Sequence, residues 1–227
     1  MAGFDMVPFK NAYEGCDCVI VGNGGSLNDV PPESLSDISF ATNLISKRFD
    51  DYPWRPDFYV AVSDAAGISE YSDYIIRGIS EAKQHSFVSW NNRHLVKNIP
   101  NATLIAAHEY PIQWSDDVDY IVCRWGMSHL VTFQIVAYMG FRTVHLTGFD
   151  LNFRPIEDGV DPNHFTDNYW GKYQAHRQEM GRAKYEQMNR DHLAAHKIVA
   201  ENCERLGITV VDHTPNGPLG DVYVRGN

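Results

Sequence analysis

Short apolar runs alternate along this chain with segments in which polar and apolar residues follow a helical period. Most of the runs are continuous rather than alternating, as in strands that are covered on both faces of a parallel sheet. Val, Ile, Phe and Tyr, which favour strands, are frequent in them. We therefore predict a mostly parallel sheet with strands at residues 18–21, 38–41, 58–62, 86–90, 103–106, 120–123, 144–146 and 208–211.

Two segments between these runs have clear helical periodicity, residues 128–139 and residues 182–206. Ser128 is expected to cap the first helix and Gly140 to end it, while Gly207 supplies a left-handed stop for the second. Because strands and helices alternate, the sequence predicts an α/β fold, Rossmann-like and doubly wound, as a single domain over residues 1–227. An apolar stripe runs along the second helix through Tyr185, Met188, His192, Ala195, Val199, Cys203 and Leu206.

Residues 152–181 break this alternation and follow no clean period. The segment is rich in Asn, Asp, His, Gly and aromatic residues. Long irregular segments inside compact domains are usually functional or disordered, and the aromatic content favours a functional segment. We predict a long aromatic-rich lid loop there and call residues 152–181 the aromatic segment. Its aromatic side chains are Phe153, Phe165, Tyr169, Trp170 and Tyr173.

Composition and charge restrict the function classes. The 227 residues are 44% hydrophobic and 21% charged, which is ordinary for a globular domain. The net charge of −10 disfavours a nucleic-acid partner. No apolar stretch approaches the roughly 20 residues of a membrane span, and the first residues lack the pattern of a signal peptide, so we expect a cytoplasmic protein. The four cysteines are too scattered for a metal clip, and we predict no metal site.

The most informative local motif is the glycine-rich loop at residues 22–27, directly after the first predicted strand. Its glycines, Gly22, Gly24 and Gly25, allow a sharp turn and expose amides that can hold phosphate. The loop lacks the Lys of a P-loop. It also departs from the dinucleotide fingerprint, because Leu27 stands at the third glycine position and Asn43 stands where an acidic ribose ligand is expected.

Small or hydrogen-bonding residues follow the predicted strands throughout the chain. The carboxyl ends of parallel strands meet at one edge of the sheet, which is where ligands bind in this fold class. We therefore expect a nucleotide-linked ligand at this edge. The candidate residues are Gly22, Asn23, Gly24, Gly25, Ser26, Asn43, Ser63, Asp64, Asn91, Asn92, Arg124, Ser128, Gly148 and Asp150.

Histidines supply the candidates for acid–base chemistry. His164 lies in the aromatic segment shortly after Asp150, and we predict a functional role for it. Asp150 can orient a base, bind a sugar hydroxyl or hold Mg²⁺, and spacing alone does not choose between these. His192 lies on the apolar stripe, where it is either a hydrogen-bonded histidine facing the sheet or the base. His176 and His196 are expected to be solvated.

Several motifs resemble one enzyme superfamily: residues 22–27, the strand end Ala41-Thr42-Asn43, the helix start Met127-Ser128, and residues 140–150. The superfamily contains bacterial CMP-sialic-acid sialyltransferases, the Maf factors that glycosylate flagellin, and archaeal 6-hydroxymethylpterin pyrophosphokinase-like proteins. Residues 161–164, 169–172 and 214–217 look most like the second and third branches. The resemblance spans roughly residues 16–220.

The sialyltransferase branch implies specific roles. By similarity, Asn23, Ser26, Asn43 and Ser128 would contact the cytidine nucleotide, and Tyr169 or Tyr173 its phosphate. The branch uses a histidine as general base. Here a gap-free count from the last strand ends near His192, whereas motif context favours His164. Met127 stands where the sialyltransferases have Thr.

The leading hypothesis is therefore a glycosyltransferase that moves a sugar from a CMP-type donor to a glycan or protein acceptor and needs no cofactor. One alternative is a pyrophosphokinase that uses ATP with Mg²⁺ held by Asp64 and Asp150. Another is a non-catalytic nucleotide-sugar-binding module. The sequence leaves the oligomeric state open, a homo-oligomer included.

Overall fold

The structure is a computed structural model that describes residues 5–35, 37–63, 69–109, 113–125, 127–215 and 217–226. Its centre is an eight-stranded sheet in which every pair of neighbouring strands is parallel. The prediction of a mostly parallel, Rossmann-like α/β fold is confirmed. The strands of this sheet are β1 (Asp17–Val21), β2 (Ile38–Thr42), β3 (Phe58–Ala61), β4 (His85–Ser89), β5 (Ala102–Ile105), β8 (Thr143–Thr147), β9 (Thr209–Asp212) and β10 (Val224–Arg225).

A second, two-stranded parallel sheet pairs β6 (Ala107–His108) with β7 (Val122–Cys123). The predicted strand at residues 120–123 is therefore only half realised, because Tyr120 lies in a turn and its side chain is 77% exposed. Neither β6 nor β10 is predicted from the sequence, because each is two residues long and lacks a buried apolar run.

The strand order of the main sheet is β10-β9-β8-β1-β2-β3-β4-β5. The chain moves from β1 to one side of the sheet through β5, and β8 then returns to the other side of β1. This reversal falls between β1 and β8, which pair in register from Asp17 opposite Thr143 to Val21 opposite Thr147. In doubly wound sheets, ligands bind at the carboxyl ends of the strands where the strand order reverses.

Among the described residues, the α-helices are α1 (Ser69–Glu81), α2 (Ser128–Tyr138), α3 (Gln174–Gln178) and α4 (Arg182–Leu206). Successive residues of a strand point to opposite faces. In β2, Phe40 belongs to a core that also contains residues of α2 and α4, whereas Ala41 belongs to a second core with residues of α1. Burial on both faces explains why the strands are continuous apolar runs.

The helix termini follow the sequence prediction in part. Gly140 and Gly207 have φ of +88° and +72°, the left-handed conformation that favours glycine. Ser128 does not cap α2: Met127 is at the cap position, and the Ser128 hydroxyl bonds Asn43 instead. None of the helices in the described part of the chain combines the length and apolar composition that a membrane crossing requires.

The predicted stripe of α4 is buried at Tyr185, Ala195, Val199 and Cys203. The expectation of a solvated His196 is wrong, because this side chain is fully buried against Tyr223, which belongs to the same core as Phe40. The aromatic segment is irregular, as predicted, up to a 3-10 turn at Gly171–Tyr173 and the short helix α3.

Candidate functional site

A cavity of about 580 Å³ lies at the carboxyl ends of β1, β2 and β8, between the sheet and the aromatic segment. It occupies the position where the strand order reverses. Most of the predicted site residues line it together: Gly22, Asn23, Gly24, Gly25, Ser26, Asn43, Ser63, Ser128, Gly148, Asp150, His164, Tyr169 and His192.

Four of the predicted residues that the structure describes do not line this cavity: Asn91, Asn92, Arg124 and Tyr173. The Arg124 guanidinium donates to the carbonyl of Val62 at 2.7 Å and pairs with Glu109, so its described contacts join strand ends to each other. Tyr173 is 40% exposed and its ring lies against Tyr71. Asp64 lies outside the described residues.

The glycines of the loop after β1 allow that loop to pack against the loop after β8. A Cβ added to Gly22 would lie 2.2 Å from the carbonyl oxygen of Gly148, and one added to Gly24 would lie 1.8 Å from Asp150 Oδ2. Real Cβ atoms do not approach other atoms so closely. At Gly25 the nearest atom is the carbonyl oxygen of His164, at 3.8 Å. The sequence suggested close approach to a ligand, whereas the close partner at Gly22 and Gly24 is the protein itself.

Asp150 holds the glycine-rich loop in place. Its Oδ2 accepts hydrogen bonds from the backbone N–H of Ser26 at 3.2 Å and from the Ser26 hydroxyl at 2.9 Å. Bonds to a charged acceptor are stronger than neutral ones. The sequence left three roles open for Asp150: to orient a base, to bind a sugar hydroxyl or to hold Mg²⁺. The contacts of Asp150 correspond to none of these; instead, its carboxylate positions the glycine-rich loop.

Two asparagines connect the ends of β1 and β2. Asn23 Nδ2 donates to the carbonyl of Thr42 at 3.2 Å, and its Oδ1 is buried with no hydrogen-bond partner among the described residues. Buried acceptors are rarely left unpaired, so this oxygen is suited to a ligand N–H or O–H. Asn43 is left-handed at φ +56° and its Oδ1 accepts from Ser128 Oγ at 2.9 Å, which ties the end of β2 to the start of α2.

The aromatic segment is docked over the cavity by backbone bonds. The N–H of Phe165 donates to the carbonyl of Asn23 at 3.1 Å, Lys47 Nζ donates to the carbonyl of Tyr169 at 2.6 Å, and the Tyr71 hydroxyl donates to the carbonyl of Trp170 at 2.6 Å. The side chains of Phe165 and Tyr169 are buried in the second core. The segment therefore forms one wall of the cavity.

His164 has the arrangement of an oriented base. Its Nδ1 lies 2.8 Å from Oδ2 of Asp161, whose carboxylate is buried and also accepts from the N–H of Asn163. An ionised carboxylate only accepts hydrogen bonds, so Nδ1 carries the proton and Nε2 keeps its lone pair. The ring stacks on Tyr169 at a centroid distance of 3.8 Å, which fixes its plane.

His192 belongs to a buried group of three imidazoles, here called the histidine cluster, with His129 and His196. The His129 ring stacks on His196 at 4.8 Å between centroids and lies 5.4 Å from His192. Burial lowers the pKa of His192 to about 4 and that of His196 to about 3, and it also lowers the pKa of His129. All three are therefore neutral at pH 7.

Each ring of the histidine cluster has a buried nitrogen with no partner among the described residues: His192 Nδ1, His129 Nε2 and His196 Nε2. If His192 is a core residue, the sequence predicts that its ring is hydrogen-bonded. Nδ1 makes no such bond among the described residues. Within the described part of the chain, no group of three or more His, Cys, Asp or Glu side chains has the geometry of a metal site.

Sequence reasoning missed several residues that line or support the cavity. Asp161 precedes His164 by three positions, a spacing that could have suggested the pair. Arg154, Trp170 and Arg177 also line the cavity. Nothing in the sequence indicated their position, because the aromatic segment has no period from which side-chain directions can be read.

No protein-family model matches this sequence, and no curated protein sequence matches it significantly. Solved structures do share its fold. The Maf glycosyltransferase from Magnetospirillum magneticum AMB-1 superimposes with a TM-score of 0.57 at 13% identity, over 96% of this chain and 34% of that one. This chain thus spans about a third of the length of the Maf protein.

The sialyltransferase CstII from Campylobacter jejuni, in complex with the substrate analogue CMP-3FNeuAc, superimposes with a TM-score of 0.52 at 14% identity, over 92% of this chain and 86% of that one. CstII with a trisaccharide acceptor and CMP gives a TM-score of 0.50 at 13% identity, over 93% and 86% of the two chains. At such identities the likeness concerns the fold. This chain therefore has the α/β fold of the Maf and CstII glycosyltransferases.

Proposed function

We propose that this protein is a glycosyltransferase that uses a CMP-type sugar donor, with His164 as general base. The observation that carries the proposal is the pair of His164 and Asp161 in the wall of a cavity at the strand-order reversal. The fold neighbours support it, because CstII binds CMP and CMP-3FNeuAc at comparable chain length. The donor would occupy the cavity with its nucleotide toward the glycine-rich loop.

The groups on the sheet side of the cavity suit a nucleoside monophosphate. Asn23 Oδ1 offers a buried acceptor for an N–H or O–H of the base or ribose. Asn43 and Ser128 are held together by their mutual hydrogen bond and face the same space. Polar groups that are fixed before the ligand arrives lose little entropy on binding.

The reaction would be a displacement at the anomeric carbon. The oxygen of an acceptor hydroxyl forms the new bond to that carbon while His164 Nε2 takes the hydroxyl proton. The bond from the anomeric carbon to the phosphate oxygen breaks, and CMP leaves with the electron pair. Asp161, which accepts from Nδ1–H, stabilises the imidazolium that forms.

His164 suits this role better than His192. A general base works best when its pKa is near the working pH, and burial has lowered the pKa of His192 to about 4. His192 also lacks a carboxylate to stabilise its protonated form among the described hydrogen bonds and ion pairs. We therefore assign His129 and His192, which line the cavity, a structural role in its wall.

The first test measures ligand binding to the unmodified chain through the change in its melting temperature, Tm. CMP, CDP, CMP-sialic acid, ATP with Mg²⁺, and hydroxymethylpterin are compared. A ligand at 100 times its Kd stabilises by about 2.7 kcal/mol, which raises Tm by roughly 5–10 °C for this size. Stabilisation by cytidine nucleotides without metal supports the proposal. Stabilisation only by ATP, Mg²⁺ and the pterin together would replace it with the pyrophosphokinase.

The second test is His164→Ala, with His164→Asn to keep a side-chain N–H for Asp161 and the exposed His176→Ala as matched control. We expect both His164 variants to retain CMP affinity while turnover of CMP-sialic acid falls by about 10²–10⁴. Turnover in the control should equal that of the unmodified chain. Unchanged turnover in both His164 variants would remove His164 from the mechanism.

A further inference from the structure

Two histidines that do not line the cavity lie against each other on the main sheet. His145 is in β8, and His213 directly follows β9 and donates its backbone N–H to the carbonyl of Leu146 in β8 at 2.9 Å. His145 Nδ1 is 2.9 Å from His213 Nε2, and the two ring centroids are 5.1 Å apart. These histidines are 68 positions apart in the sequence, so the parallel pairing of β8 with β9 is what brings them together.

The two rings are accessible from solvent. Val144 and Leu146, the neighbours of His145 in β8, are buried in the core that contains residues of α2 and α4, so the imidazole of His145 points to the opposite face. His213 is two positions after Val211, the partner of His145 in β9, and lies on that same face. His145 and Val211 are partly exposed, and His213 is exposed. A small solute can therefore reach both rings.

The backbone around this pair is fixed before any ligand arrives. Four residues of β8 pair in register with four residues of β9. The chain also packs against the His213 ring at the nitrogen that does not face His145, because a Cβ added to Gly226 would lie 2.1 Å from His213 Nδ1. Groups that are already ordered lose little entropy when a ligand binds.

His213 is neutral at pH 7, so the pair carries lone pairs rather than two positive charges. Burial lowers the pKa of His213 and the imidazole of His145 lowers it further, while Asp212 acts in the opposite direction. In a hydrogen bond between two neutral imidazoles, one nitrogen donates its proton to the lone pair of the other. If that proton moves to the other nitrogen of its own ring, both nitrogens that face each other have a lone pair.

We propose that His145 Nδ1 and His213 Nε2 form a binding site for one divalent transition-metal ion, Zn²⁺ or Ni²⁺, with water in the remaining coordination positions. Neutral imidazole is a preferred ligand of these ions. With metal–nitrogen bonds of about 2.0–2.1 Å at a right angle, two ligand nitrogens are about 2.8–3.0 Å apart. The separation of 2.9 Å matches this distance, and rotation of the two rings would direct both lone pairs toward the exposed face.

This inference departs from the sequence prediction of no metal site, which rested on the spacing of the cysteines. It does not depend on the proposed function. A bound ion would join β8 to the end of β9 and thereby hold the loop that follows. Thr214 in this loop accepts the N–H of Phe149 at its hydroxyl at 3.0 Å, and Pro215 and Gly217 line the cavity. The ion would therefore stabilise the folded chain next to one wall of the cavity.

The test titrates the chain, free of affinity tags and treated with chelator, with Ni²⁺ and Zn²⁺ by calorimetry. Mg²⁺, which prefers oxygen ligands, is the control ion. The variants are His145→Ala, His213→Ala and both together, and the exposed His94→Ala is the matched control. We expect one Ni²⁺ or Zn²⁺ per unmodified chain. Each single variant loses one of two linked ligands, so its affinity should be lower by about 10²-fold, whereas His94→Ala should bind as the unmodified chain does. Either ion at 100 times its Kd should raise Tm by roughly 5–10 °C, and Mg²⁺ should leave Tm unchanged.

Three results would contradict the inference. Lack of Ni²⁺ and Zn²⁺ binding by the unmodified chain overturns it without reference to any variant, whether or not the variants fold. Unchanged affinity in the double variant, with an unchanged circular dichroism spectrum, would place the ion elsewhere, at the histidine cluster or at the exposed Cys16. A loss of affinity in only one of the two single variants would show a single imidazole ligand and overturn the shared site.

Discussion

Replacing Gly24 with Ala tests whether the loops after β1 and β8 hold each other. The new Cβ would lie 1.8 Å from Asp150 Oδ2 and 2.7 Å from the carbonyl oxygen of Gly148. Real Cβ atoms essentially never come closer than 3.0 Å to another heavy atom. The carboxylate of Asp150 must therefore move by more than 1 Å to relieve the first contact. It then loses its hydrogen bonds to the backbone and hydroxyl of Ser26.

The expected cost follows from these two bonds. A hydrogen bond to a charged group contributes about 1.5–3 kcal/mol, so losing both costs about 3 kcal/mol at the lower end. The second contact is with a backbone carbonyl, which cannot rotate away and adds to the loss. For a chain of this length, about 3 kcal/mol lowers Tm by roughly 6–12 °C.

The assay is thermal unfolding followed by circular dichroism, with Gly25→Ala as the matched control. The Cβ of that variant would find its nearest neighbour at 3.8 Å, so its Tm should stay within about 2 °C of the unmodified chain. CMP affinity should fall in Gly24→Ala as the loop shifts. If Gly24→Ala and Gly25→Ala have the same Tm, the packing argument for the glycine-rich loop is refuted.

Two further predictions concern Asp150 and the histidine cluster. Asp150→Ala should lower Tm and CMP affinity while turnover at saturating donor changes less than about 10-fold, because the carboxylate positions Ser26; a loss of about 10³ in turnover would make it catalytic. The folded pKa of about 4 for His192 is below the ordinary value of 6.5, so the unfolded chain binds more protons in that window. Stability is therefore complete above pH 6.5 and falls as the pH drops toward 4, by about 2 kcal/mol for this histidine between pH 7 and pH 5. Urea unfolding at both pH values should show a smaller loss in His192→Leu, and an equal loss would contradict the neutral assignment.

Much of the fold could be read from the sequence because its strands are buried on both faces. Phe40 and Ala41 are neighbours in β2 and lie in different cores, and Ser39, the polar residue of the predicted run, is buried as well. The exposed end strand β10 has no such signal. In β10 both Val224 and Arg225 are exposed, and neither period nor burial distinguishes them from a loop.

The candidate site was predictable on the sheet side and much less so on the other. Asn23, Asn43 and Asp150 follow strands, and parallel topology alone brings them together. Arg177 reaches the cavity through the packing of an aperiodic segment, which depends on tertiary contacts. The expectation of a solvated His196 did not use its spacing from His192. His196 is four positions after His192 in α4, and helical spacing places the two on one face.

The division of the cavity between two stretches of chain has an evolutionary consequence. The groups that we propose for the nucleotide come from the sheet edge, whereas His164, the proposed base, and Arg177 both come from the aromatic segment. Under the proposed function, exchange of one contiguous stretch of 30 residues would change the sugar that is transferred while the scaffold keeps the nucleotide. Grafting residues 152–181 between homologues is then a route to new transfer specificities that leaves the eight-stranded sheet unaltered.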